Sequence, residues 1–213
     1  MKLGTLIILF LACFSCKTEN NSKSNLIKSD RFELPTESEK TQIKKSLQSQ
    51  KLNYFLENPV NLKEFKETKK GNFTSGVSYG KSYHFNPKIK DSIFYNYNYP
   101  TKKFKDAKKI DQILVFKYGK NKQTYNDENE ILIELKVFRE DYDLGKANLV
   151  GLSKAELESN FGINYLILDK KIIYSNKNKV LIIELENSKI KSFKYLKLNT
   201  ENLGSDLIRK IVK

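Results

Sequence analysis

The chain has 213 residues, with 39 Lys or Arg against 25 Asp or Glu, a formal charge of +14, and 39% hydrophobic and 12% aromatic residues. This is enough apolar material for one larger domain or two small ones. Its two cysteines, Cys13 and Cys16, lie at the extreme N-terminus, so the body after them must hold by packing, without a disulfide. The charge does not point to nucleic acid: Arg31, Arg139 and Arg209 are the only arginines, and lysine is the poorer residue for bidentate phosphate recognition. The lysines are also spread along the chain, and the densest run, Lys102 to Lys109, is interrupted by Phe104, Asp106 and Ala107. A solvated lysine surface is expected, with attraction to anionic lipid headgroups as a second reading.

Before Lys17, the only charged side chain is Lys2, and Leu3 to Ala12 is an almost unbroken apolar run. Cys13-Phe14-Ser15-Cys16 follows, and polarity begins abruptly at Lys17. A basic start, a short apolar centre and a small residue before the cut form the layout of a secretory signal peptide. The run is well short of the roughly 20 residues that span a bilayer. With the cysteine at the cut, the segment resembles the lipobox of bacterial lipoproteins. That resemblance implies removal of residues 1–15, acylation of Cys16 and an exported, membrane-held chain. Cys13, preceded by Ala12, is the alternative site. An ordinary signal peptide with incidental cysteines, or a short membrane anchor, are the other readings. Residues 16–33 are polar and read as a flexible tether.

Two helices are expected next. Thr36 and Glu39 fit a capping box; Ile43, Leu47, Leu52, Tyr54 and Phe55 are read as the apolar side, and Asn58-Pro59 as the end. The second helix has Asn61 as N-cap, Glu64 three residues on, Val60 and Phe65 as a staple, and Gly71 as the stop. After Gly71 the period becomes two. Val77 to Phe85, Phe94 to Tyr99, Ile113 to Tyr118 and Glu130 to Phe138 read as strands, the last two joined through Asn126 to Asn129.

Farther on, Ser153 and Glu156 form a third capping box, Leu152 and Leu157 a staple, and Gly162 a C-cap. Three strands follow at Tyr165 to Tyr174, with a break conceivable at Asp169-Lys170, then Val180 to Glu186 and Ile190 to Leu198. Ile190 and Phe193 are out of phase, which predicts a bulge or a shifted start. Leu207, Ile208, Ile211 and Val212 fit a short amphipathic helix. The expected fold is α+β. Two N-terminal helices lie on a mostly antiparallel sheet (34–145), followed by a helix, a three-stranded meander and a C-terminal helix (146–213), the two regions being either separate or continuous.

Gly151-Leu152-Ser153, Glu156-Leu157 and Phe161-Gly162, with the meander behind them, resemble the small outer-membrane lipoproteins of the SmpA/BamE type over residues 149 to 198. The resemblance implies an α+β unit in the envelope. The chain departs from that family in its length, in the strands between 72 and 138, and in having Ile163-Asn164 where a Pro is usual. It does not carry over a role in β-barrel assembly.

Groups for catalysis are few. His84, the only histidine, sits in a strand between Tyr83 and Phe85, and there is no Cys/His cluster for zinc and no phosphate-cradling glycine loop. Asp127, Glu128 and Glu130, and Glu140, Asp141 and Asp143, could hold a hard cation but lack the spacing of a known loop; solvated turns explain them better. Tyr95, Tyr97 and Tyr99 share one strand face, which Tyr79 and Tyr83 of a neighbouring strand would extend, and are either the core face or an exposed binding strip. The expectation is a lipid-anchored, non-catalytic protein without cofactor, metal or nucleic-acid partner. It would face the periplasm from the outer membrane, held by Cys16 and working on an envelope protein. The alternative is a carbohydrate binder or a carboxylate-dependent hydrolase.

Overall fold

The computed structural model describes residues 35–69, 74–78, 85, 87–100, 110–125 and 129–212. Residues 1–34, on which the expected signal peptide, Cys13, Cys16 and the expected tether fall, lie outside them, as do Gly71, Tyr79, Tyr83, His84, the basic run 102–109 and Asp127-Glu128. Thr36–Lys213 makes one compact unit.

Eight strands form one antiparallel sheet in the order β1-β2-β3-β4-β8-β7-β6-β5. The strands are β1 (Thr74–Ser78), β2 (Ser92–Tyr99), β3 (Asp111–Tyr118), β4 (Glu130–Val137), β5 (Leu166–Leu168), β6 (Lys171–Asn176), β7 (Lys179–Glu186) and β8 (Lys189–Lys197). Two four-stranded meanders thus meet where β4 pairs β8, with Lys136 opposite Lys194 and Leu135 opposite Tyr195. The sheet runs without interruption through both regions read from the sequence.

The C-terminal meander has four strands where three were expected. Asp169 and Lys170 both take positive φ, 50° and 63°, and turn the chain back so that Leu168 pairs Lys171. Two successive left-handed residues make the tight hairpin turn whose twist suits antiparallel strands. Neither is a glycine, so the sequence offers the turn only as an optional break in one strand. In β8 the register shifts beside Leu185, which leaves Lys191 as the extra residue. Ile190 and Phe193 therefore both reach the same core cluster.

One face of the sheet carries the main core: Tyr97 and Tyr99 of β2, Ile113 and Val115 of β3, Leu135 and Val137 of β4, and Leu181, Ile183, Phe193 and Tyr195 of β7 and β8. It is covered by α1 (Glu37–Glu57), α2 (Leu62–Thr68), the 3₁₀ segment Tyr142–Ala147 and α3 (Lys154–Phe161). The opposite face is closed over β6 to β8 by α4 (Ser205–Val212), through Ile208, Ile211 and Val212 against Ile173, Val180, Ile182 and Leu196.

The capping chemistry acts at short range. Thr36 with Glu39 and Ser153 with Glu156 each form a complete capping box, and Asn61 accepts from the Glu64 backbone. Such caps satisfy N–H groups that the first turn leaves open. Gly162 ends α3 at φ +79°. There the Gln48 amide of α1 donates to the Glu158 and Ser159 carbonyls at 2.9 and 3.2 Å.

The apolar side of α1 is not one face. At 3.6 residues per turn, Leu52 and Leu56 lie roughly opposite Ile43, Leu47 and Tyr54. Leu52, Phe55 and Leu56 are buried, and α1 packs on α3, β6 and β7, strands far ahead of it in sequence. Ile43 (52% exposed), Leu47 (52%) and Tyr54 (70%) face solvent. Every residue from 37 to 47 is exposed. These first three turns span about 16 Å at 1.5 Å per residue.

Candidate functional site

A charged cluster lies inside the core between α2, β3 and β4. In β3 the alternation of Ile113, Val115 and Lys117 carries Lys117 inward, and in α2 Lys66 follows Leu62 by one turn. The two lysines are 2% and 0% exposed. Lys66 Nζ donates to both carboxylate oxygens of Glu130, at 2.8 and 2.9 Å. Lys117 Nζ lies 3.9 Å from Glu130 and 3.1 Å from the Tyr97 hydroxyl, and donates to the Thr124 carbonyl. Aromatic faces complete the cage: Lys66 lies over the rings of Tyr97 and Tyr125 at 4.9 and 4.7 Å, and Lys117 over Tyr95 at 4.9 Å. The Tyr125 hydroxyl donates to the Lys66 carbonyl at 2.9 Å. A buried cation needs such partners, because desolvation otherwise exceeds the attraction.

This places the three tyrosines singled out above. Tyr97 and Tyr99 are fully buried, and Tyr95 is half-buried against the same cluster. Tyr97 and Tyr99 are core side chains and not an exposed strip. Burial pushes the Tyr99 hydroxyl well above the usual tyrosine range. Sequence reasoning missed Lys66 and Lys117; the signal was there, a lysine at an inward position of each apolar pattern.

A cleft of about 740 Å³ opens beside this cluster between α2, β4 and β8. Glu57, Glu67, Lys63, Lys197 and Tyr195 line it, with Lys66 and Glu130. Glu57 accepts from Lys179 at 2.7 Å, which holds its carboxyl below the usual range.

The second acidic group is structural. Asp141 caps the 3₁₀ segment by accepting from the Asp143 backbone at 3.1 Å. Both carboxylates pair with Lys69, at 2.9 and 2.6 Å. Burial works against the Lys69 charge, but its bonds to Asp143 and Asp141 outweigh it and hold its pKa up. Glu140 is exposed. Asp111 pairs with Arg139 at 2.8 Å and accepts from the Phe138 backbone at 2.8 Å. Burial nevertheless raises its carboxyl to about 6. Among the described residues, no group of three or more His, Cys, Asp or Glu is placed to hold a metal ion, and no helix is long and apolar enough to cross a membrane.

Among the described residues, apolar side chains are exposed at the β5 edge of the sheet and just before it. Ile163, Leu166 and Ile167 are 74%, 58% and 67% exposed. Among the described residues β5 is paired only to β6, and its outer backbone edge carries no further strand. Edges of this kind are usually guarded by charge or cover. Here the guards are brevity and the following Asp169-Lys170 turn, while the side chains stay apolar. A groove of about 830 Å³ between α1 and α3 is lined by Lys44, Lys45, Gln48 and Ile163 among others.

No family model matches the chain, and no curated protein and no solved structure matches it.

Proposed function

We propose that the chain is a lipid-anchored protein of the cell envelope that works through protein contacts made at the β5 edge. The observation that carries this reading is that, among the described residues, β5 is an edge strand with exposed apolar side chains on both of its faces, Leu166 on one and Ile167 on the other, and exposed Ile163 shortly before it. An unpaired strand edge with apolar side chains is a template for pairing with another chain. An extended partner segment could add to β5 by main-chain hydrogen bonds, its own alternating side chains packing beside Leu166 on one face and Ile167 on the other. The N-terminal lipobox resemblance supplies the anchor and the envelope location. The likeness of the α3 unit to SmpA/BamE-type lipoproteins agrees with the compartment and names no partner.

Metabolic labelling with a tagged fatty acid tests the anchor. Label should enter the wild-type chain and be lost in Cys16→Ala. Labelling intact in both Cys16→Ala and Cys13→Ala would end the proposal of a lipid anchor. In-cell crosslinking and pull-down from solubilised membranes tests the contacts. One dominant envelope protein is expected, reduced in Ile167→Asp and in the unanchored Cys16→Ala form.

A second reading rests on the cleft. Its carboxylates, lysines and Tyr195 suit a sugar or another polar ligand. Binding fits better than hydrolysis, since a general acid needs a raised pKa and Glu57 is lowered by Lys179. Titration with glycans, read by shifts in thermal unfolding, decides it.

A further inference from the structure

We infer that the outward stripe of α1 docks on an anionic lipid bilayer. Ile43, Leu47 and Tyr54 form one exposed apolar line on the side away from Leu52 and Leu56. Lys40, Lys44 and Lys51 are exposed along one flank of that line, around a shallow hollow of about 290 Å³ that includes Ile43 and Leu47. An apolar stripe flanked by lysines is the pattern of a helix lying in the headgroup plane, its apolar residues among the acyl chains and its cations on anionic lipid. Tyr54 adds an amphipathic ring suited to the same depth. Its face is held by Lys146, 3.8 Å from the ring centre.

Charge complementarity selects this occupant. The chain carries +14, and each lysine held at an anionic surface strengthens binding about fivefold. A second copy would set the same lysines against one another. Position agrees: α1 begins at Glu37, directly after the tether that the sequence places behind Cys16. In that respect the inference rests on the envelope reading, since only an exported, tethered chain meets the bilayer continually. The β5 edge stays open to protein.

The test mixes the full chain with vesicles of phosphatidylcholine, with or without a third phosphatidylglycerol, and follows amide exchange by mass spectrometry. On anionic vesicles the amides of residues 37–47 should slow at least about fivefold. The slowing should vanish in Ile43→Asp/Leu47→Asp and in 1 M salt, where the screening length falls to about 3 Å. Residues 1–35 are common to both chains and cancel in the comparison. Both substitutions are at exposed positions, so the urea midpoint should stay at the wild-type value. Should it fall, Lys44→Glu/Lys51→Glu gives the same readout from the polar side. Unchanged exchange on anionic vesicles would overturn the inference, and so would equal slowing on neutral ones. Slowing without vesicles that grows with protein concentration would also overturn it, in favour of a second copy. Fatty-acid labelling at Cys16 is read separately, so loss of the anchor and loss of docking are distinguishable.

Discussion

Replacing Glu130 by Gln keeps the side-chain shape and removes the carboxylate to which Lys66 makes both of its hydrogen bonds, at 2.8 and 2.9 Å. Lys66 and Lys117 are 2% and 0% exposed, so both ammonium groups would stay buried without that charge. Breaking a buried pair from one side costs about 3–5 kcal/mol. The low end is expected here, because Lys66 keeps the rings of Tyr97 and Tyr125, contacts worth about 0.5–2 kcal/mol. With a urea dependence of about 2 kcal/mol per molar, Glu130→Gln should lower the unfolding midpoint by about 1.5 M. Lys66→Met removes the cation with the shorter contacts and leaves Glu130 near Lys117. In the double variant Lys66→Met/Glu130→Gln the effects should add to less than their sum by about 1 kcal/mol or more. Equilibrium unfolding followed by circular dichroism measures all four proteins. A Glu130→Gln midpoint within 0.3 M of wild type, or single effects that simply add, would refute the idea that this pair supports the core.

Asp111 predicts a pH dependence. Its carboxyl is raised from 3.8 to about 6 by burial, so the folded state binds a proton more readily than the unfolded chain. Stability from this group is full below about pH 4 and falls by up to about 3 kcal/mol as the pH rises through 6. Urea midpoints at pH 4.5 and 7.5 should differ less in Asp111→Asn than in wild type; equal differences would contradict the assignment. Gly162→Ala forces a Cβ at φ +79° and 3.3 Å from Gln48 Oε1, and should cost more than about 1 kcal/mol by chemical denaturation. An unchanged midpoint would show that the α3 end tolerates a side chain. Ser153→Ala removes the N-cap of α3 and should cost about 1 kcal/mol; a change under 0.3 would assign the helix start to packing alone.

The α+β class and the capped helix starts were legible because they depend on residues three or four apart. The bulge in β8 was legible for the same reason, from the phase of Ile190 against Phe193. What stayed hidden depends on partners distant in sequence. Ile43 and Leu47 look like core residues until α1 turns Leu52 and Leu56 to β6, β7 and α3, leaving the first three turns bare. The turn at Asp169-Lys170 was half legible: a break there was one of the readings, but two non-glycine residues at positive φ did not mark it as a hairpin. Lys66 and Lys117 looked like surface charges because their shared partner, Glu130, is 64 residues from Lys66. Tyr97 and Tyr99 left two readings open, and only the helices over β2 decide between them.

The central claim, an anchored body acting through its β5 edge, is tested most directly by a photo-crosslinking residue placed at Ile167 in the otherwise native chain, expressed in its own cells. A discrete crosslinked band containing one envelope protein is expected, absent when the probe is moved to exposed Lys210 and strongly reduced in Cys16→Ala. No band from Ile167, or the same set of bands from both positions, would contradict it.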